Sequence, residues 1–413
     1  MIIKFTYIVL LLLMLFILFR SGVRLQKEYK IWSGAGIVAI LVYTLNEGLR
    51  FGRGIDYNTG GIGYETYASY SREVYETYIG YNFLVRILVN LGIPWQGCVM
   101  IMSFLFIVGL LYLMRSFKEV VPFALPLFAL VSSGTVENLF KWYLAFSFFM
   151  IGLSYQLEQL DKLNVKYVIF SCVAILFHTA FIPVPIIFYL LTKLNKPLLP
   201  PFLSIPLFFA IAFLFQTSFM LNFVDFFNTA SLLSDRLEHY TEDAEMWFTQ
   251  GFHGRETMAL PGIYDLLFFM AVVSLGYKCI KLMGQKYIFI YNLFLIGFLL
   301  KPITNQIPLF ARYDEVLFFF RAIVLACILQ IIYKEKKISL QPIYFNVALL
   351  IFFVWSCSFI RNPIKGIPEK YLYVWNKGNL SYDDMIIIWH EQQDKNSDMI
   401  KQRKEEENNL FNL

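Results

Sequence analysis

Charge is scarce in this chain. Asp, Glu, Lys and Arg make up 16% of its 413 residues and hydrophobic residues 58%, which is too apolar for an ordinary soluble domain. The five cysteines, Cys98, Cys172, Cys279, Cys327 and Cys357, lie in or beside apolar runs without paired spacing. They read as buried thiols, which excludes a disulfide framework and a cysteine metal site. There is no Gly-x-Ser-x-Gly elbow, no Walker A loop and no His-Glu-x-x-His pair. His239 and His253 stand too isolated for a metal site, so neither metal nor cofactor is expected. Ser132-Ser133-Gly134 offers a hydroxyl, but no base in the right context to activate it. The net charge of +5 comes from short Lys/Arg loops, a mark of membrane topology and not of nucleic-acid binding.

What is present is apolar length. Runs of roughly 17 to 22 residues recur along most of the chain, each able to cross a hydrocarbon core ~30 Å thick. Backbone groups in lipid need internal partners, so the expected fold class is all-α. It is a polytopic membrane protein of about eleven transmembrane helices plus a re-entrant helical hairpin. The first run, Ile8 to Phe19, has no small-residue cleavage site and leads to Arg20, Arg24, Lys27 and Lys30. It reads as an anchor with the N-terminus outside and the first loop inside. Further Lys/Arg clusters at 115–118, 162–166, 193–196, 278–286 and 334–337 mark the other inside loops. Residues 1–360 then form the membrane domain, with outer loops at 48–96, 132–140, 224–260 and 301–315. Residues 361–413 form an external C-terminal tail, partly disordered from Glu391 onward, where it is charged and amide-rich.

The run Val165 to Leu191 has lysines on both flanks, Lys162 and Lys166 before it, Lys193 and Lys196 after it. It is too long for one simple span and too short for two. A hairpin with His178 near its apex, broken on the return limb by Pro183 and Pro185, fits this pattern. A single tilted helix is the alternative.

The chemistry concentrates where the second helix meets the outer face, in Leu49-Arg50-Phe51-Gly52-Arg53-Gly54-Ile55-Asp56-Tyr57. Two glycines permit a tight turn, and two guanidinium forks on such a turn can hold phosphate or carboxylate oxygens. The bland reading is an interfacial loop whose Arg and Asp neutralise each other. The same face receives Glu76, Glu137, Lys141, His178, Arg312 and Tyr313. Lys301 and Arg321 belong to the last neighbourhood, Arg321 one to two turns inside its helix. Glu137 and Lys141 equally form an ordinary i, i+4 pair, and His178 a buried structural histidine. Several cations converging on one membrane face favour an anionic ligand, and a lipid diphosphate suits a protein embedded in the bilayer.

The Leu49–Tyr57 stretch resembles the signature of the EpsG/Wzy family of bacterial polysaccharide polymerases, in which an Arg, a Gly and an Asp-Tyr pair follow the second helix. Gly80-Tyr81-Asn82-Phe83-Leu84 resembles the next family block. His178, in Leu176-Phe177-His178-Thr179-Ala180, matches the family's helix-embedded histidine, and Arg312-Tyr313 the late Arg-aromatic motif. The resemblance spans about residues 1 to 335. The chain departs at Lys141-Trp142, where many members carry Arg-Gln, and in the placing of Glu76.

The resemblance implies a bundle similar to the GT-C glycosyltransferases in the bacterial cytoplasmic membrane, with its active site facing the outside. The implied substrates are undecaprenyl-diphosphate-linked oligosaccharides, with membrane lipid, a flippase and a chain-length regulator as partners. The growing glycan would leave its carrier for a hydroxyl of the next unit. An O-antigen ligase-like transferase and a lipid-linked oligosaccharide flippase are the rival readings, though a flippase should show repeat halves, which this sequence lacks. Arg50, Arg53, Tyr57, Lys141, Arg312, Tyr313 and Arg321 are the candidate diphosphate-binding residues. His178, Asp56, Glu76 and Glu137 are the catalytic candidates, with His178 favoured as base because an apolar setting favours its neutral imidazole. The topology is testable by itself. Glu242→Cys is expected to react with an impermeant maleimide on intact cells, and reaction only after lysis would overturn the arrangement.

Overall fold

The computed structural model describes residues 2–54, 57–58, 78–132, 140–214, 263–280, 283–306, 308–334, 364 and 366–391. Among them the regular structure is helical, apart from one isolated antiparallel bridge, Arg50 to Tyr373. The helices are α1 (Ile2–Lys27), α2 (Gly34–Gly48), α3 (Ile79–Asn90), α4 (Trp95–Met114), α5 (Val121–Ser132), α6 (Phe140–Gln156) and α7 (Val165–Phe177). They continue as α8 (Pro183–Thr192), α9 (Pro201–Leu214), α10 (Ile263–Ile280), α11 (Gln285–Gln306), α12 (Pro308–Phe319), α13 (Arg321–Lys334) and α14 (382–391). By length and composition, Ile2–Lys27, Trp95–Ser132, Gln285–Thr304 and Arg312–Tyr333 are able to cross a membrane, and shorter apolar helices accompany them. The last expected span, 344–360, and the loop 224–260 lie outside the described residues.

Trp95–Ser132 is two limbs. The helix breaks at Phe117 (φ −131°, ψ 36°), and Phe106 on α4 and Phe128 on α5 both reach the Phe319 ring, at 5.9 and 4.4 Å between centroids. The limbs therefore run back to back. Gly109 brings α4 against α6 backbone to backbone, because a Cβ there would lie 2.4 Å from Ser147 O.

The run 165–191 doubles back. Prolines at 183 and 185 remove two amide donors that a continuous helix would need, so α7 stops at Phe177. His178 is extended (φ −155°, ψ 106°), and a short 3₁₀ turn, Thr179–Phe181, leads into α8. Tyr167 OH donates to Pro185 O at 2.5 Å, and Lys193 Nζ to Leu160 O at 2.7 Å. A straight helix would separate the second pair by roughly 50 Å at 1.5 Å per residue.

The basic ends of the helices gather at one pole. Tyr29 OH bonds Leu111 O, Tyr287 OH bonds Glu119 Oε2 at 2.8 Å, and Gln26 Nε2 donates to Glu119 O. Arg115 pairs with Glu158 at 2.8 Å, and Lys166 lies over the Tyr155 ring. This grouping is the one that loop charge gives.

Two expected outer loops contain helices. The segment 48–96 includes α3, amphipathic enough to bury Tyr81, Val85 and Leu88. The segment 301–315 is taken up by the end of α11 and by α12, which starts on Pro308. Proline at the first helical position lacks only a donor that would be unpaired there anyway. Arg321 accordingly opens α13 at the α12–α13 break and does not sit a turn or two inside a helix.

The C-terminal segment folds back on the Leu49–Tyr57 turn. Phe51 N donates to Leu372 O and Val374 N to Leu49 O, both at 3.0 Å. α14 begins with a capping box: Ser381 N donates to Asp384 Oδ2 at 2.8 Å and Asp384 N to Ser381 Oγ at 3.2 Å. These bonds hold the Asp384 carboxyl below the usual carboxylate range. Its stabilising contribution is therefore present above that range and fades as pH falls through the lowered value. α14 places Met385 under Gly52 and Trp389 Nε1 on Gly52 O at 2.7 Å. Gly52 has φ +67°, and a Cβ there would meet Met385 Cε at 2.5 Å. Gly52→Ala is expected to loosen this docking by about 1–2 kcal/mol, with faster tryptic cleavage at Lys377. Adding Met385→Ala removes the clash but not the left-handed strain, so full recovery in the double variant would refute the account.

Candidate functional site

At the pole opposite the basic one, the polar residues converge on the first turn of α6. Successive helix residues point about 100° apart, so a run of four covers the whole circumference. Phe140 faces the Leu49–Tyr57 turn: the Arg50 guanidinium lies 5.1 Å from its ring centroid and the Tyr57 ring 6.0 Å away. Lys141 Nζ sits over Tyr78 and Tyr81, at 4.6 and 5.1 Å. Trp142 stands edge-on to His178 at 5.0 Å and to Tyr313 at 5.5 Å. Tyr143 packs on Phe106 and Phe319 and lies within electrostatic reach of Arg321.

The Arg50 side is closed. Arg50 Nη1 donates to Glu47 O at 2.7 Å and lies 3.5 Å from Glu47 Oε2. Glu47 Oε1 accepts from Asn46 Nδ2 at 2.8 Å, and Asn46 Oδ1 accepts from Tyr373 OH at 2.8 Å. Tyr57 OH is within hydrogen-bond distance of Arg50 O (3.0 Å) and Gln96 Oε1 (2.9 Å), while Gln96 Nε2 donates to Arg50 O at 3.1 Å. Arg53 Nε donates to Leu372 O at 3.4 Å, and its guanidinium lies near the rings of Tyr7 (4.8 Å) and Tyr373 (4.4 Å). Arg50 is 1% and Arg53 2% exposed. The sequence pattern suggests open forks; the structure encloses both, because the C-terminal segment and α1 cover the turn. Asp56, the third charge of the stretch, lies outside the described residues, as do Glu76 and Glu137.

The His178 side is more open. His178 is itself buried, in ring contact with Tyr78 (4.9 Å) and Trp142 (5.0 Å), but Tyr78, Lys141, Arg312 and Tyr313 are half-buried. Tyr313 OH donates to Ala180 O at 2.9 Å, tying α12 to the hairpin apex. Hence His178, Lys141 and Tyr313, far apart in sequence, share one neighbourhood, with Arg312 next to it on α12.

A third cluster continues along α12. Lys301 Nζ and Asp314 Oδ2 pair at 2.7 Å, with the Asp314 side chain fully buried. Arg321 Nη1 donates to Phe318 O at 3.1 Å, and its guanidinium lies 4.3 Å from the Phe318 ring. The acidic groups acting on Arg321 are Glu315, Asp314 and Asp265. Arg321 is thus held by Phe318, with the carboxylates at longer range. Among the described residues no three His, Cys, Asp or Glu side chains are placed to share a metal ion.

The residues that sequence reasoning missed are Glu47, Phe140, Trp142, Asp265, Asp314 as a paired acid, and Tyr373. Only Glu47 left a readable signal, a carboxylate three residues before Arg50 at the end of an apolar helix.

These features define a helical, multi-pass membrane protein with a cluster of charged and aromatic side chains at one pole. A model of the EpsG family matches residues 35–367, most of the chain and further into the C-terminal segment than the motif resemblance reached. The chain belongs to the EpsG family, a Wzy-type polysaccharide polymerase family whose members act as glycosyltransferases. No curated protein and no solved structure matches it.

Removing one partner of a buried ion pair leaves the other charge uncompensated. Glu47→Gln is therefore expected to destabilise the protein by about 3 kcal/mol in a denaturation series in detergent. Wild-type stability in that variant would show that Arg50 does not depend on Glu47.

Proposed function

We propose that this protein polymerises undecaprenyl-diphosphate-linked oligosaccharide repeat units at the outer face of the cytoplasmic membrane. The observation that carries the reading is the meeting of His178, Lys141 and Tyr313 around the first turn of α6, at the pole away from the basic loops. An acceptor hydroxyl of one lipid-linked unit attacks the anomeric carbon of the growing glycan. The bond from that carbon to the diphosphate oxygen breaks, and undecaprenyl diphosphate leaves with the bonding pair. The hydroxyl proton passes to the His178 imidazole. Lys141 and Arg312, half-buried at the same place, stabilise the charge gathering on the diphosphate. Lys301 and Arg321 extend the positive lining deeper, each tempered by its carboxylates. Arg50 and Arg53 are enclosed beside Tyr57, so their part is to position the backbone there. Asp56, Glu76 and Glu137 are the alternative bases.

The test uses protein in nanodiscs supplied with purified lipid-linked repeat units. The wild type is expected to produce a polymer ladder. His178→Ala is expected to bind the units but join them roughly 10²- to 10⁴-fold more slowly. A wild-type rate for His178→Ala, with Glu76→Ala or Glu137→Ala inactive, would transfer the role to that carboxylate. Transfer to a different acceptor without chain growth would replace polymerisation by a ligase-like reaction.

A further inference from the structure

Trp142 is one of the largest fully buried side chains, 1% exposed, and its indole Nε1 has no hydrogen-bond partner. Buried indole N–H groups ordinarily find an acceptor, since an unsatisfied buried donor is destabilising. Around this one the ring neighbours are His178, Phe181 and Tyr313, at 5.0, 4.9 and 5.5 Å. Tyr313 turns its hydroxyl to Ala180 O, and Trp142 Nε1 makes no hydrogen bond to it. A shape-filling residue at this point of α6 would serve packing equally well as Phe, without a stranded donor. Tyr313, in ring contact with Trp142, and Lys141, next to it on α6, are only half-buried, as is Tyr78 on the other side of His178.

We propose that Trp142 contacts the substrate: its Nε1–H donates a hydrogen bond to an oxygen of the bound lipid-linked glycan, beside His178. The accepting oxygen belongs either to a sugar hydroxyl or to the diphosphate. On this view the donor is left unpaired in the resting protein and is satisfied on binding, so affinity is gained at the expense of resting stability. The inference rests on the function proposed above and adds a residue which that reaction does not itself require.

Two replacements separate ligand binding from packing. Trp142→Phe keeps a ring and removes the N–H. Replacing Trp142 with 3-benzothienylalanine keeps the indole outline and puts sulfur where the N–H was. Each protein in nanodiscs is titrated with undecaprenyl diphosphate and, separately, with lipid-linked repeat units, and its melting temperature is recorded without ligand. The benzothienyl protein is expected to melt at or above the wild-type temperature and to bind roughly tenfold more weakly, the scale of one hydrogen bond. Weaker binding of both probes places the acceptor on the diphosphate, and weaker binding of the glycan-bearing probe alone places it on a sugar. Both outcomes support the proposal. Unchanged affinity for both probes overturns it. So does a large fall in melting temperature of the benzothienyl protein with unchanged affinity, which makes Trp142 structural. If the wild type binds neither probe, the proposed function fails first, and the two failures stay distinct.

Discussion

Backbone contact between α4 and α6 sets the frame on which the site depends. Gly109 allows the two helices to approach until its missing Cβ would press on Ser147 O, and neighbouring rings such as Phe106 and Tyr143 then interlock. With α6 pinned there, its first turn has one rotational setting. Phe140 must face the Arg50 turn, Lys141 the Tyr78–Tyr81 rings, Trp142 the hairpin apex and Tyr143 the α12–α13 break. A helix surrounded on every side has no solvent face into which to rotate, so its register is set by packing and not by amphipathic patterning.

The charges inside this bundle are managed in two ways. Arg50 and Lys301 each have a carboxylate partner, Glu47 and Asp314, in addition to aromatic faces. Such pairs return little net stability once desolvation is counted, but they penalise any arrangement that separates the partners. Arg321 has a ring, a carbonyl and several acids at longer range. The graded neutralisation explains how a strongly apolar protein keeps cations near its site without unfolding around them. It also divides the arginines by role: those of the Leu49–Tyr57 turn are enclosed, whereas Lys141 and Arg312 keep part of their surface accessible.

The C-terminal segment joins the two ends of the chain. Tyr373 pairs with Arg50 across a single bridge, reaches Asn46 through its hydroxyl and lies against Arg53 with its ring. Lys4 Nζ bonds Ile364 O, and Tyr7 stacks near Tyr371, so α1 belongs to the same cover. An element that in sequence looks like a tail closes the turn that carries the densest motif.

The sequence by itself determined the class of fold, because long apolar runs in lipid leave the backbone only helices to form. It also determined which helix ends share a pole, through the Lys/Arg loops, and the reversal at His178, through Pro183 and Pro185. These are local or additive signals: length, charge count, missing donors. The residues in the motifs were legible too, Arg50, His178 and Tyr313 among them. Their partners were not. Glu47 with Arg50 was within reach of an i, i+3 reading, but Asp314 with Lys301, Trp142 with His178 and Tyr373 with Arg53 depend on helices meeting at particular heights and rotations. Heights and rotations follow from side-chain packing across the bundle, where nearly every position is apolar and no periodicity marks a face. Only the tertiary structure therefore decided that the arginines of the Leu49–Tyr57 turn are enclosed and that a tryptophan with a stranded N–H lies against the histidine.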